Sequence, residues 1–211
     1  VLGHRIGFIP QRFAFRPDLD AESNVLYAMD ASNRNFLKPK PVIARELLKR
    51  VGFDEVTSGL AVGEASELNQ RRVAIARALS CEAEVIIADE PTTALDVTIQ
   101  AQILDVLAKA QKETGAAVVL ITHDLGVVAG AADDILVMYA GRPVERASID
   151  DVFQHPSMPY TMGLLGAVPK PHIAASQRLV PIQGNPPSLV DIPKGCPFSP
   201  RCPLATPECS L

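Results

Sequence analysis

Two adjacent acids end an apolar segment near the middle of the chain. Residues 84–88 read E-V-I-I-A, and Asp89 and Glu90 follow directly. In open parallel α/β sheets, ligands bind at the carboxyl ends of the strands, where the turning chain lets both acids approach one site. One carboxylate there can hold Mg²⁺, and the next can orient or deprotonate a water aimed at phosphorus. The alternative is a strand that ends in an exposed acidic turn.

A polar residue ends the next apolar segment in the same way. Residues 118–122 read V-V-L-I-T, and His123 follows. Between the two segments, Val97–Thr114 has apolar side chains at helical spacing, and Asp96 is a suitable N-cap. A strand–helix–strand order predicts a right-handed βαβ unit with parallel strands. We therefore expect His123 at the same edge of the sheet as the two acids.

The rest of the chain predicts further elements around this unit. Ser66 is a candidate N-cap for a helix that ends near Leu79. Apolar patterns predict a strand at Ile6–Ile9, a helix over residues 42–51, a hairpin of Asp134–Tyr139 and residues 142–146, and short helices ending near His155 and over residues 160–167. Residues 169–211 are rich in proline and polar residues, which predicts an extension with little regular structure.

Composition argues against several classes of protein. Hydrophobic residues make up 47% and charged residues 21%, as in soluble globular proteins. The net charge of −4 and the lack of a Lys/Arg run argue against a nucleic-acid partner. No apolar stretch approaches the roughly 18–20 residues that span a bilayer. Four cysteines in such a chain favour free thiols or a metal site over structural disulfides.

Residues 6–146 resemble the ABC ATPase family. Residues 85–96, V-I-I-A-D-E-P-T-T-A-L-D, look like its Walker B motif and D-loop, and residues 121–124, I-T-H-D, look like its switch histidine. Residues 71–79, R-R-V-A-I-A-R-A-L, look like the helix behind its signature motif, and residues 6–11, I-G-F-I-P-Q, look like its Q-loop strand.

The resemblance implies an α/β fold of the P-loop NTPase-like ABC ATPase type. Its expected parts are a mainly parallel central sheet, a helical subdomain and an irregular C-terminal extension. The ABC ATPase domain is expected over residues 1–155, with the helical and signature region at about residues 12–80. The C-terminal extension is expected over residues 156–211.

The resemblance also implies roles for individual residues. Asp89 would help to hold Mg²⁺ and Glu90 would polarise the attacking water, while His123 would contact the γ-phosphate of ATP. Gln11 would touch Mg²⁺ or water and relay the nucleotide state to a membrane partner. Asp96 would reach across a dimer interface, a role compatible with capping a helix. A lone histidine or glutamine after a strand is otherwise more often a structural or solvated residue.

Two departures from the family pattern bear on ATP binding. The phosphate-gripping loop G-x-x-x-x-G-K-[ST] is absent, since none of the 13 glycines precedes a lysine, and we expect an N-terminally shortened chain. The signature stretch, residues 65–70, reads A-S-E-L-N-Q, so Ser66 is kept but both family glycines are missing. Glu67 would place a negative charge near a polyanion. The altered signature predicts a weakened or non-hydrolysing site in an asymmetric, heterodimeric pair of ATP-binding subunits, with Glu90 serving the other site.

The C-terminal region contains H-P-S-M-P-Y-T at residues 155–161, G-N-P-P at 184–187 and G-C-P-F-S-P-R-C-P at 195–203. These motifs resemble the oligopeptide, dipeptide and nickel importer subfamily. Some members hold a [4Fe–4S] cluster here, so Cys196, Cys202 and Cys209 are candidate ligands; the alternative is three reduced thiols. Zinc is a poorer fit because the cysteines are not in C-x-x-C pairs.

The leading interpretation is an ATP-binding and ATP-hydrolysing subunit that powers an ABC importer of peptides. Its implied cofactors are ATP and Mg²⁺. Its implied partners are a second ABC ATPase subunit or domain, transmembrane permease subunits and, indirectly, an extracytoplasmic solute-binding protein. Such a subunit sits peripherally on the cytoplasmic face of the membrane. One alternative is a degenerate, regulatory ABC domain with little turnover of its own, and another is a soluble ABC ATPase acting on DNA or ribosomes.

Overall fold

The computed structural model describes residues 5–12, 15–32, 34–53, 59–93, 95–168 and 181–211. The chain folds into two compact units, residues 1–123 and residues 124–211. The boundary expected from the sequence, between residues 155 and 156, stays a prediction.

A parallel sheet of three strands forms the centre of the first unit. The strands are β1 (Ile6–Ile9), β2 (Val85–Asp89) and β3 (Ala117–Ile121), in the order β1-β2-β3. The register places Ile9 beside Ala88, and Asp89 beside Ile121. The carboxyl ends of all three strands therefore lie at one edge of the sheet, as the sequence predicts.

Four helices and a short turn complete the described part of the first unit. They are α1 (Ala21–Ala31), α2 (Lys40–Arg50), α3 (Glu67–Leu79), α4 (Val97–Thr114) and a 3₁₀ turn at Val62–Glu64. The core is built mainly from small and branched aliphatic side chains, including Val25, Val73, Ile75, Ile86 and Ile103, together with Met29. Their burial removes apolar surface from water, which is the main favourable contribution to folding. Helix α3 thereby packs against β1 and against α4.

Helix α1 was not predicted from the sequence because a polar residue lies on its buried face. Asn24 is 1% exposed, and its amide nitrogen donates to the carbonyls of Arg16, Leu19 and Asp20. Its side-chain oxygen accepts from the backbone N–H of Arg16 at 2.8 Å. A buried amide satisfied in this way replaces an apolar residue in the stripe, so the helical period is hidden.

The second unit contains a helix, an antiparallel hairpin and two further short helices. Its elements are α5 (Leu125–Ala131), β4 (Asp134–Tyr139), β5 (Arg142–Ser148), α6 (Ile149–Gln154) and α7 (Pro159–Gly166). Ala140 and Gly141 both have positive φ, at 48° and 76°, which suits the twist of a two-residue hairpin turn. A register shift between Val137 and Met138 interrupts the ladder.

The described part of the C-terminal extension packs through aromatic side chains. Phe198 is 1% exposed and contacts the rings of Tyr139 and Tyr160, with centroids 5.3 and 5.4 Å away. Arg201 donates to the Tyr139 hydroxyl at 3.1 Å and to the carbonyls of Ile182 and Gln183. Within residues 181–211 the only regular elements are 3₁₀ turns at Ser199–Arg201 and Pro207–Ser210. Residues 169–180 of the predicted extension lie outside the described residues.

Among the helices of the described residues, none is both long and apolar enough to cross a bilayer.

Candidate functional site

Glu90 leaves the end of β2 in an unusual backbone conformation. Its φ is +47°, in the left-handed region that residues other than glycine rarely adopt. Its N–H donates to the carbonyl of Ile121 at 2.9 Å, and its own carbonyl accepts from the N–H of Thr93 at 3.2 Å. Such a conformation costs about 1–3 kcal/mol and persists only where the surroundings impose it. The strained backbone at Glu90 determines the direction in which its carboxylate points.

Both oxygens of the Glu90 carboxylate have a side-chain partner. Oε1 lies 2.7 Å from Nδ1 of His123, and Oε2 accepts from the Thr93 hydroxyl at 3.0 Å. The Glu90 side chain is 18% exposed, whereas His123 is 79% exposed. Hydrogen bonds to both oxygens hold this half-buried carboxylate in one orientation, in which it can accept a proton from one neighbouring group. The expected meeting of Glu90 and His123 is confirmed.

Asp89 and Gln11 leave the same edge of the sheet. Asp89 is the last residue of β2, paired with Ile121, and its side chain is half-buried. Gln11 lies two residues beyond the end of β1 and is exposed. A carboxylate and an amide oxygen at one edge are ligands that Mg²⁺ accepts. The donor set therefore fits the ion that the sequence implies.

The loop that follows Glu90 is held by two helices. Arg71 of α3 donates from Nη2 to the carbonyl of Thr93 at 3.1 Å, and Gln100 of α4 donates to the carbonyl of Thr92 at 3.2 Å. Arg71 is only 5% exposed. Sequence reasoning missed both contacts. The available signal was an arginine on the buried face of α3, because charged residues are rarely buried without a partner.

Ser66 and Asp96 cap two helices and line the same recess. Ser66 accepts from the N–H of Asn69 at 3.4 Å, and Asp96 accepts from the N–H of Ile99 at 2.9 Å. Both side chains are exposed. The recess has a volume of about 300 Å³ and is lined by Ser66, Glu67, Leu68, Leu95, Asp96 and Ile99. The predicted signature and D-loop residues thus line one recess. Glu90 and His123 are not among the residues that line it.

Glu67 has a partner within its own helix. Its carboxylate lies 3.8 Å from Nη2 of Arg71, one helical turn further on. Burial lowers the pKa of Arg71, and the charge of Glu67 opposes that shift. Glu67 also stands in the first turn of α3, where the helix dipole favours a negative charge. The repulsion expected from Glu67 is therefore partly offset inside the protein.

The iron–sulfur hypothesis for the extension receives no support. Cys196, Cys202 and Cys209 are free thiols in the structure. The backbone N–H of Cys196 donates a hydrogen bond to the carbonyl of Cys209 at 2.8 Å, whereas Cys202 ends a 3₁₀ turn. Within residues 5–168 and 181–211, apart from the short gaps given above, no three or more His, Cys, Asp or Glu side chains form a group that could hold a metal ion. The thiols are thus not gathered as cluster ligands.

Two family models match most of the chain. The model described as "ABC transporter" matches residues 1–93, which include the acid pair and the turn after it. The model described as "Oligopeptide/dipeptide transporter, C-terminal region" matches residues 144–209. Residues 1–93 of this chain thus match the ABC transporter family. The ABC ATPase fold expected from the sequence is thereby confirmed.

Curated relatives of this chain carry peptide-transport names. It is 55% identical over 168 residues to the oligopeptide transport ATP-binding protein OppD of Mycobacterium tuberculosis, covering 79% of this chain and 28% of that protein. It is 50% identical to OppD of Haemophilus influenzae, covering 72% of this chain and 47% of that protein. The dipeptide transport ATP-binding protein DppD of Bacillus subtilis is 54% identical, with 64% and 40% covered. The chain spans less than half the length of these three relatives.

A solved ABC structure has the same fold. It is a dimeric ATP-binding cassette in a post-hydrolysis state bound to ADP and Pi, 32% identical to this chain. The TM-score is 0.61, and the match covers 70% of this chain and 64% of the other. None of these comparisons supports the alternative of a degenerate, regulatory ABC domain.

Proposed function

We propose that this chain is part of an ATP-hydrolysing subunit that powers an ABC importer of peptides. The observation that carries the proposal is the Glu90 carboxylate, held in a strained backbone conformation between His123 and Thr93 at the carboxyl edge of a parallel sheet. Such an edge is where α/β proteins bind nucleotides. A fixed carboxylate there suits a base that takes a proton from water as the water oxygen attacks the γ-phosphorus and ADP leaves.

The neighbouring side chains fit the other roles that hydrolysis needs. Asp89 and Gln11 would hold Mg²⁺, which neutralises charge on the phosphate oxygens when bound. His123 bonds Glu90 through Nδ1, so its Nε2 is the ring atom that would contact the γ-phosphate. Ser66 and Asp96 line the recess that a second ATP-binding subunit would face. The proposal thus assigns hydrolysis to the Glu90 edge and dimer contacts to the recess.

Partners and substrate class are supported by the relatives. The C-terminal match to an oligopeptide/dipeptide transporter region favours peptides over other solutes. We infer transmembrane permease subunits, a solute-binding protein outside the cell and a peripheral position on the cytoplasmic face of the membrane. The altered signature at residues 65–70 favours a heterodimer with unequal sites, in which a partner signature completes the site at Glu90.

ATP turnover by the assembled transporter tests the catalytic assignment. Glu90→Gln keeps the size of the side chain but cannot accept a proton, so we expect the hydrolysis rate to fall at least a hundredfold. Glu84→Gln is the matched control, because Glu84 precedes the same strand and pairs with Arg5 on the surface. The control should hydrolyse ATP at the wild-type rate. Near-normal turnover by Glu90→Gln would refute the assignment.

The substrate class has its own test. Proteoliposomes that contain the transporter and its solute-binding protein should hydrolyse ATP faster when short peptides are added. Stimulation by nickel ions, with none by peptides, contradicts a peptide importer while leaving the ATPase assignment intact.

A further inference from the structure

The turn that holds Glu90 is anchored to α3 by a buried arginine. Arg71 is 5% exposed, and its Nη2 donates to the carbonyl of Thr93 at 3.1 Å. The hydroxyl of the same threonine donates to Oε2 of Glu90 at 3.0 Å. Thr93 is therefore bonded on its backbone to the helix and on its side chain to the carboxylate.

The same arginine also contacts the exposed start of α3. Nη2 of Arg71 lies 3.8 Å from the carboxylate of Glu67. Glu67 is about half exposed and lines the recess together with Ser66 and Asp96. A single guanidinium nitrogen thus faces both the recess-lining Glu67 and the turn that carries Thr93. A displacement of either end changes the geometry at the other, because buried arginine bonds are directional.

We propose that Arg71 is a positioning residue that, through Thr93, sets the orientation of the Glu90 carboxylate and ties it to the position of Glu67 at the start of α3. This inference rests on the proposed function, since it concerns the base of that reaction. A contact made at the recess would thereby change the orientation of the Glu90 carboxylate without touching Glu90. Arg71 itself contacts neither substrate nor water in this role.

Strain at Glu90 explains why such an anchor is needed. A left-handed φ at a residue with a side chain relaxes unless neighbouring bonds oppose it. The N–H and the hydroxyl of Thr93 both donate hydrogen bonds to Glu90. The carbonyl of Thr93 accepts a hydrogen bond from Arg71. Loss of the Arg71 bond leaves Gln100, on the neighbouring carbonyl, as the remaining helix anchor described above. The turn then has freedom to rotate the hydroxyl away from the carboxylate.

The test uses two variants that remove different links of this chain in the complete subunit, assembled in its transporter. Thr93→Val deletes the hydroxyl and keeps the shape of the side chain. Arg71→Met keeps an unbranched apolar stem suited to a buried position and deletes the donors. Each should lower kcat for ATP hydrolysis about tenfold and leave KM for ATP within twofold, because the bond lost acts on the base and not on nucleotide binding. The double variant should lose no more than either single one, since the residues act in series.

Conservative variants and controls separate positioning from folding. Thr93→Ser restores the hydroxyl and should recover kcat to within threefold of wild type, and Arg71→Lys should recover part of it. Thr98→Val, an exposed threonine in the first turn of α4, and Arg77→Met, a half-buried arginine of α3, are matched controls that should retain wild-type kcat. Melting temperatures measured alongside identify any variant that fails to fold, and Thr93→Val then decides alone.

The outcomes distinguish this inference from the proposed function. Wild-type kcat in Thr93→Val or in folded Arg71→Met, with Glu90→Gln inactive, overturns the inference and leaves the proposed function standing. A rise in KM with unchanged kcat, or equal losses in the control variants, also overturns it. Full activity of Glu90→Gln overturns the proposed function and the inference together.

Discussion

At the scale of single residues, the carboxylate of Glu90 is held at both oxygens by side chains from different parts of the chain. His123 follows β3 and Thr93 lies three residues after Glu90. The positive φ of Glu90 adds a backbone constraint. Together these bonds fix the direction of the carboxylate, which is the property that a base aimed at a single water molecule needs.

Replacing the histidine tests this arrangement from the other side. His123→Ala removes the bond to Oε1 and the proposed contact with the γ-phosphate, so kcat for ATP hydrolysis should fall about a hundredfold or more. ATP binding should change little, because Asp89 and Gln11 remain. Steady-state ATPase kinetics and nucleotide-binding titrations measure the two quantities. Wild-type kcat in His123→Ala contradicts a catalytic role for this residue.

At the scale of elements, β1 and α3 approach so closely that a side chain does not fit between them. A Cβ on Gly7 would lie 2.6 Å from the carbonyl oxygen of Ala78. Gly7→Ala should lower the free energy of unfolding by about 1–3 kcal/mol, as overpacking does in cores. Gly130→Ala in α5 is the control, because nothing lies within 4 Å of its added Cβ. Chemical denaturation measures both, and equal stability of the two variants contradicts the close packing.

The cap of α4 gives a second prediction at this scale. Asp96→Ala removes the bond to the N–H of Ile99 and should lower the free energy of unfolding by about 1 kcal/mol, whereas Asp96→Ser keeps a capping oxygen and should be nearly neutral. If Asp96 also reaches a partner subunit, both variants lose ATP turnover. Denaturation and ATPase assays separate the two roles. An Asp96→Ala protein with the wild-type free energy of unfolding contradicts the capping role.

The sequence predicts the central elements well because their patterns are local. An apolar strand that ends in Asp89 and a second that precedes His123 place both residues at one edge by the geometry of parallel strands alone. The contacts of Thr93 and Arg71 are not predictable in this way, since they depend on how α3 packs beside the turn. Helix α5 was missed because two glycines weaken a seven-residue pattern.

Over the whole molecule, the match to the ABC transporter model lies in the first unit, and the match to the oligopeptide/dipeptide transporter C-terminal region lies in the second. Each unit has its own anchor residues: Arg71 holds a turn in the first, and Arg201 holds the extension in the second. The cysteines are divided in the same way. Cys81 is buried in the first unit, and the other three lie in the extension.

Thiol chemistry should therefore differ between the two units. Burial raises the pKa of Cys81, whereas hydrogen bonds from the backbone and hydroxyl of Thr206 lower the pKa of Cys209. The thiolate is the reactive form, so alkylation of Cys209 should become fast at a lower pH than alkylation of Cys81. Iodoacetamide labelling from pH 6 to 9, followed by peptide mass spectrometry, measures both rates. Faster labelling of Cys81 at pH 7 contradicts this order.

We expect a nucleoside triphosphate to bind at the strand edge formed by Asp89, Glu90 and His123. The most direct measurement is an experimental structure of the assembled transporter carrying Glu90→Gln, with ATP and Mg²⁺ bound. We predict the γ-phosphate within hydrogen-bond distance of His123, and Mg²⁺ beside Asp89. A nucleotide bound in that structure with its γ-phosphate away from this edge, and with His123 turned from it, would show that this edge is not the site of hydrolysis.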